Sequence, residues 1–80
     1  MRADEKLDLC GVLEPYCLLM CKSTLASMKP GAVLEIHLRD PETLKDLLTI
    51  LERSEEIVLA EVQREDRTCL WVQKGDVRNE

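Results

Sequence analysis

The feature that most constrains the fold of this chain is its prolines, each of which lies beside a residue typical of the start or the end of a helix. The sequence contains three of them, and they are Pro15, Pro30 and Pro41. Glu14 precedes the first and Asp40 the third, and proline is favoured at the first helical position because its missing N–H would be unpaired there. Gly31 follows the second, as a left-handed residue that ends a helix does. The pattern predicts helices over about 15–29 and 41–53, with Glu14 and Asp40 as N-caps.

Four β-rich runs surround these helices, and they span 6–10, 33–39, 57–64 and 68–74. The second alternates in polarity, with Leu34, Ile36 and Leu38 on its apolar face, which is typical of a half-buried strand. The last two are joined by a charged turn and predict a hairpin. The order is therefore βαβαββ in a single domain of residues 1–80. We expect an α/β (α+β) two-layer sandwich, with two helices on one face of a mixed four-stranded sheet.

The helix-free side of this sheet is called the open sheet face below. Its expected members come from the second and fourth strands, and they are Val33, Glu35, His37, Cys69, Trp71 and Gln73. Ile57 and Leu59 would join them if residues 58, 60 and 62 point toward the helices. An exposed apolar face of this size would favour a homodimer. The alternative is an ordinary sheet face with a half-covered tryptophan.

Charge and composition exclude several classes of function. The net charge of −5 argues against a nucleic-acid partner, which requires a basic footprint. No apolar run approaches the length of a membrane span, and the charged start MRADEK does not resemble a signal peptide. We therefore expect no membrane partner and a cytoplasmic location. Four cysteines without an export signal indicate free thiols in a reducing compartment.

The stretch from residue 7 to residue 31 resembles the TusA/SirA family of small sulfur-carrier proteins. The family pattern is Leu-Asp, two residues, Gly-Leu, one residue, then Cys-Pro-x-Pro opening a helix, and later Pro-Gly. The matching positions here are Leu7, Asp8, Gly11, Val12, Pro15, Met28, Pro30 and Gly31, followed by Asp40 and Pro41. The resemblance implies the two-layer fold, a cysteine that carries sulfur as a persulfide, and protein partners of a sulfur relay that donate or accept it.

The sequence departs from this family at the motif itself. Glu14 occupies the position of the family's sulfur-carrying cysteine, and Cys17 occupies that of its second proline. At a helix N-terminus a carboxylate would replace the charge of a thiolate without being able to carry sulfur. The simpler interpretation is that Glu14 only caps the helix. A general acid or base is the least favoured role, because no second acid or base lies nearby in the sequence.

Cys17 is the candidate replacement nucleophile. It falls in the first turn of the predicted helix, where backbone N–H groups favour a thiolate. The alternative is a small apolar residue filling the proline's place. Cys21 falls on the predicted buried stripe with Leu18, Leu25 and Met28. No Cys-x-x-Cys pair supports a metal site, no cofactor is expected, and His37 is expected to be a solvated side chain.

Two functions remain in view from the sequence. The first is a sulfur-relay protein, either a carrier or a sulfurtransferase component, that is degenerate at the usual cysteine. The second is a non-catalytic relative that keeps the fold and the docking surface and binds partner proteins. Whether the chain is an enzyme stays open, because Glu14 and Cys17 are the only candidates for the catalytic position.

Overall fold

The computed structural model describes residues 2–75, and residues 1 and 76–80 lie outside the description. Its helices and strands follow the order predicted from the sequence: β1 Glu5–Asp8, α1 Tyr16–Ser27, β2 Val33–Leu38, α2 Pro41–Glu52, β3 Ile57–Gln63 and β4 Thr68–Gln73. The βαβαββ prediction is confirmed. Neither helix combines the length and the apolar character needed to cross a bilayer, within residues 2–75.

The sheet has the strand order β1-β2-β4-β3. β1 runs parallel to β2, while β4 pairs antiparallel with both β2 and β3. The mixed four-stranded sheet is therefore as predicted. Across the central pair, Glu35 lies opposite Trp71 and His37 opposite Cys69. Because paired residues share a face, these four side chains lie together on the open sheet face.

Both helices cover the other face, where the core forms. The alternation of β2 buries Leu34, Ile36 and Leu38, and these strand residues meet Leu47 and Leu51 of α2. The buried stripe of α1 consists of Cys17, Cys21 and Leu25. Leu18 and Met28, which the sequence analysis included in this stripe, are only partly buried and pack against the core. The stripe is rotated relative to the predicted one, and this rotation takes Cys17 into the core.

One predicted helix boundary, the start of α2, agrees with the structure, and another, the end of α1, does not. α2 starts as predicted, with Asp40 as N-cap and its Oδ1 atom accepting a hydrogen bond of 3.1 Å from the Glu42 backbone N–H. The end of α1 differs from the prediction, because Met28 is its C-cap. Gly31 instead closes the following turn, in which the Ala32 N–H donates to the Lys29 carbonyl at 3.0 Å. Gly31 is the third of the four residues in this turn, and its φ of +87° is positive, as that position requires.

β3 does not follow simple alternation. A register shift between Val58 and Ala60 interrupts its pairing with β4. Ala60 therefore lies opposite Trp71, and Val62 opposite Cys69. The suggestion that residues 60 and 62 point toward the helices is wrong, because a β-bulge inserts one extra residue and reverses the faces beyond it.

The open sheet face also differs from the expectation in its exposure. Trp71 is only 8% exposed, and His37 and Cys69 are buried as well. The sequence analysis expected a solvated histidine at position 37, and at position 71 a tryptophan that is either part of an exposed apolar face or half-covered. A homodimer through this face stays a prediction. Because Trp71 is buried, its side chain does not support that prediction.

Candidate functional site

Position 14 lies in a turn between β1 and α1, and its side chain does not cap the helix. Pro15 occupies the N-cap position and accepts from the Leu19 N–H at 3.0 Å. No side chain caps α1. The prediction that Glu14 is the N-cap is therefore wrong. Its carboxylate extends instead to α2, where the Thr43 hydroxyl donates to Glu14 Oε1 at 3.2 Å.

The surroundings of Glu14 are acidic. The neighbouring Asp46 carboxyl raises the pKa of Glu14, with smaller contributions from partial desolvation and from the charge of Asp40. Thr43 Oγ1 also lies 3.2 Å from Asp40 Oδ2, so two carboxylates compete for one hydroxyl proton. The sequence analysis placed this carboxylate at a helix N-terminus, where backbone N–H groups would favour a negative charge. The structure contradicts this placement, because the groups around the carboxylate belong to the acidic start of α2 and not to the amides of α1.

A small cleft opens beside Glu14. Its volume is about 140 Å³, and its walls come from the turn after β1, the end of β2 and Thr43. Gly11 allows the turn, because its φ is +84° and the Val12 N–H closes it on the Leu9 carbonyl at 3.1 Å. The cleft is smaller than the pockets that hold drug-sized ligands.

The cysteines near this end of the molecule are not exposed thiols. Cys17 lies in the first turn of α1, as the sequence predicted, but its side chain is fully buried. Cys21 lies behind it, and burial, followed by the charges of Glu56 and Cys17, raises the pKa of Cys21 to about 12. Cys10 is half-buried, and desolvation together with Asp8 raises its pKa. A sulfur-carrying role for Cys17 stays a prediction, and it would require the thiol to leave the core.

Large apolar side chains surround position 14 on the outside of the molecule. Leu13 is 77% exposed and Tyr16 is 67% exposed. Leu19 and Met20, also exposed, follow Tyr16 at three and four residues and so lie on the same side of α1. We call this surface, made by Leu13, Tyr16, Leu19 and Met20, the α1 outer face. Helix α1 is thus apolar on both its buried and its outer side, unlike a typical surface helix.

A second cluster of reactive side chains lies on the open sheet face. His37 Nε2 lies 2.6 Å from Glu35 Oε2, and His37 Nδ1 lies 3.6 Å from Cys69 Sγ. Arg67 reaches the same Nδ1 atom with its Nη1 at 3.2 Å. Sequence reasoning missed this cluster because Cys69 and His37 are far apart along the chain. Strand alternation placed Glu35, His37 and Cys69 on the open sheet face, but the register between β2 and β4, which brings them into contact, could not be derived from it.

Among residues 2–75, no three histidine, cysteine, aspartate or glutamate side chains come together in a way that could hold a metal ion. The structure also separates the two catalytic candidates. The Glu14 carboxylate contacts Thr43 of α2, whereas the Cys17 thiol faces the core beneath α1. They do not form one reactive site.

Comparison with known proteins identifies the family of this chain. The sequence profile described as "Sulfurtransferase TusA" matches residues 5–74. The chain belongs to the TusA family. A protein of Aquifex aeolicus (strain VF5), named "Putative sulfur carrier protein", is 26% identical over 80 residues, which is 100% of this chain and 41% of that protein. The chain therefore spans about two fifths of the length of this curated relative.

The crystal structure of a SirA-like protein from Desulfitobacterium hafniense has the same fold. It superimposes with a TM-score of 0.78, covering 90% of this chain and 99% of that one, at 15% sequence identity. The resemblance seen in the sequence is confirmed by the profile and by this fold. The correspondence of Glu14 with the family's motif cysteine stays a prediction from the sequence.

Proposed function

We propose that this protein is a sulfur-relay component that binds a relay partner through the α1 outer face and carries no sulfur at position 14. The single observation that carries the proposal is the uncovered apolar side of α1 next to Glu14. Within the domain, the four side chains of the α1 outer face pack against nothing that would require them to be apolar. Exposed apolar patches of this kind mark protein–protein contacts.

Glu14 contributes to this surface as a charge. Its carboxylate lies with those of Asp40 and Asp46 at the start of α2, and Leu13 precedes Glu14 directly in the chain, so we place an acidic group at one end of the apolar surface. Charge complementarity of this kind sets the orientation and the association rate more than the affinity. The partner should therefore present an apolar groove next to lysine or arginine. A cysteine desulfurase that donates sulfur, or the protein that accepts it, is the class of partner that a TusA-like relay implies.

The thiols agree with this reading. All four cysteines are free, and a reducing compartment such as the cytoplasm keeps them so. Cys17 and Cys21 serve as small apolar residues of the core. Loading of Cys17 with sulfur, the rival proposal, needs a local opening of α1 before the thiol can meet a donor.

Binding to a cysteine desulfurase tests the docking part of the proposal. Leu19→Ser removes an apolar side chain from the α1 outer face, and Ile57→Ser is the matched control on β3, since the two residues are 57% and 53% exposed. We expect Leu19→Ser to weaken binding at least about tenfold, as interface hot spots do. Ile57→Ser should leave it unchanged. Equal affinities of the two variants would contradict the proposed surface.

Sulfur loading tests the other part. The protein is incubated with the desulfurase and cysteine, and the peptide that contains residues 14 and 17 is examined by mass spectrometry. We expect no gain of a sulfur atom in the native protein and a gain of one in Glu14→Cys, because the variant restores the family's thiol at an exposed turn. A gain in the native protein that disappears in Cys17→Ala would instead establish Cys17 as the carrier.

A further inference from the structure

We propose that His37 is a proton-sensitive switch, whose charge determines whether Arg67 contacts His37 itself or Asp8. Arg67 lies in the turn between β3 and β4, and Asp8 is the last residue of β1. The switch therefore connects this hairpin turn to the turn after β1, which leads to Leu13 and Glu14. It is separate from the α1 outer face and does not depend on what binds there.

One nitrogen of Arg67 lies between the two partners. Its Nη1 atom is 3.2 Å from His37 Nδ1 and 3.9 Å from Asp8 Oδ2. An arginine nitrogen can only donate a hydrogen bond, so His37 Nδ1 is the acceptor and carries no proton. The proton of the neutral ring is then on Nε2, which donates to Glu35 Oε2 at 2.6 Å. The structure thus contains the arrangement in which His37 is uncharged and holds Arg67.

A proton on His37 Nδ1 breaks this contact. Nδ1 then becomes a donor that faces the Arg67 guanidinium, which also only donates, and both groups carry a positive charge. The imidazolium keeps Glu35 as its partner through Nε2. A movement of about 1 Å brings Arg67 Nη1 into a charge-assisted hydrogen bond with Asp8 Oδ2. Arg67 Nε also lies 3.5 Å from Asp66 Oδ2, so the guanidinium keeps an anionic neighbour when it leaves the ring.

The neighbours of His37 on the open sheet face leave the ring itself as the group that changes charge. The hydrogen bond from His37 lowers the pKa of Glu35, with smaller contributions from the charges of Lys6 and Arg64. This carboxylate therefore stays ionised over the range in which an imidazole titrates, about pH 5–8. Cys69 on β4 lies against the ring with its Sγ 3.6 Å from Nδ1 and 3.9 Å from Nε2, so the thiol favours neither nitrogen.

Asp8 carries the effect into the turn after β1. Its Oδ1 atom accepts the Cys10 backbone N–H at 3.0 Å, and this bond lowers the pKa of the carboxyl, so Asp8 is ionised over the same range. Desolvation raises the pKa of the Cys10 thiol, so this thiol adds no charge near Arg67. The other oxygen of Asp8, Oδ2, is the one that faces Arg67. Both bonds can therefore form together, and the Asp8 side chain is then held by the hairpin and by its own turn.

A double-mutant cycle measures the contact between Arg67 and Asp8. Arg67→Met, Asp8→Asn and the double variant are unfolded with urea at about pH 8 and at about pH 5.5, on either side of the imidazole titration. Asp8→Asn keeps an oxygen for the Cys10 N–H, and both side chains are partly exposed, so we expect the variants to fold. The coupling should be less than about twofold in the unfolding equilibrium constant at the higher pH and about fivefold at the lower pH.

Two comparisons identify His37 as the origin of the pH dependence. The cycle of Arg64→Met with Asp8→Asn is the matched control, because Arg64 carries the same charge on the same hairpin turn and forms no ion pair with Asp8 among residues 2–75. The rise in the Arg67–Asp8 coupling should have the same midpoint as the ring carbon signals of His37 in an NMR titration of the native protein. The proposal is overturned if the coupling is equal at both pH values, if its midpoint differs from that of His37, or if the Arg64 cycle shows the same rise.

Discussion

The role of Cys17 in the core makes a sharp prediction about stability. Cys17→Ser places a hydroxyl in the apolar core, where the thiol is fully buried. A buried hydroxyl without a partner costs about 1–3 kcal/mol. The serine can instead bond to the Leu13 carbonyl, which already accepts the residue-17 N–H at 3.2 Å, so the lower part of that range applies. A chain of this size has about 4–12 kcal/mol of stability in total.

Urea unfolding followed by circular dichroism measures this cost. With a slope of about 1 kcal/mol per molar urea, the midpoint of Cys17→Ser should fall by about 1–2 M. Cys10→Ser is the control, because Cys10 is half-buried in a turn and its replacement should shift the midpoint by less than about 0.5 M. Equal midpoints for the two variants would refute the placement of Cys17 in the core.

This prediction also determines how the relay experiment is done. A Cys17→Ser protein that fails to take up sulfur would be ambiguous, because it would also be partly unfolded under mild stress. Cys17→Ala removes the thiol without adding a polar group to the core, although it leaves a small cavity. It is therefore the variant with which loading of Cys17 is tested.

Three further predictions concern helix ends, charge and turns. Asp40→Ala removes the N-cap of α2 and should cost about 1 kcal/mol in urea unfolding; an unchanged midpoint would contradict the observed cap. The pKa of Glu14 is raised in the folded chain, so its stabilising effect is present below the ordinary value of 4.5 and is lost as pH rises through the raised pKa. Glu14→Gln should therefore melt higher than the native protein at neutral pH, with a difference that disappears below about pH 4.5. Gly31→Ala should cost about 1–2 kcal/mol from its positive φ alone, since no atom lies near the added methyl; a loss much above that would indicate a clash.

The sequence specified the local structure where one residue type has one strong physical preference. Asp40 before Pro41 defined the start of α2, because the cap and the proline both act within a few residues. The alternation of β2 defined its buried face for the same reason. The pattern at Glu14-Pro15 appeared identical to that at Asp40-Pro41. The glutamate side chain is one methylene longer, however, and its carboxylate accepts a hydrogen bond from Thr43 on another helix. A tertiary partner of this kind leaves no mark in the local sequence.

The open sheet face shows the same limit. Alternation placed His37 correctly on the helix-free side, yet its burial and its contacts depend on Arg67, which lies 30 residues away. The bulge in β3 likewise has no signal in a run of apolar residues. Local preferences therefore predicted the order of helices and strands, whereas the contacts that define both candidate sites depend on pairing between distant segments.

The interruption in β3 has a consequence for how this small protein avoids uncontrolled self-association. β3 is an outermost strand with four exposed apolar side chains, which are Ile57, Val58, Leu59 and Val62. A straight edge of that composition would invite another strand to extend the sheet, and repeated addition builds fibrils. The extra residue between Val58 and Ala60 twists this border and breaks the repeat that an added strand would have to match. The chain can thus keep exposed apolar side chains on this edge strand without offering a regular edge to an added strand.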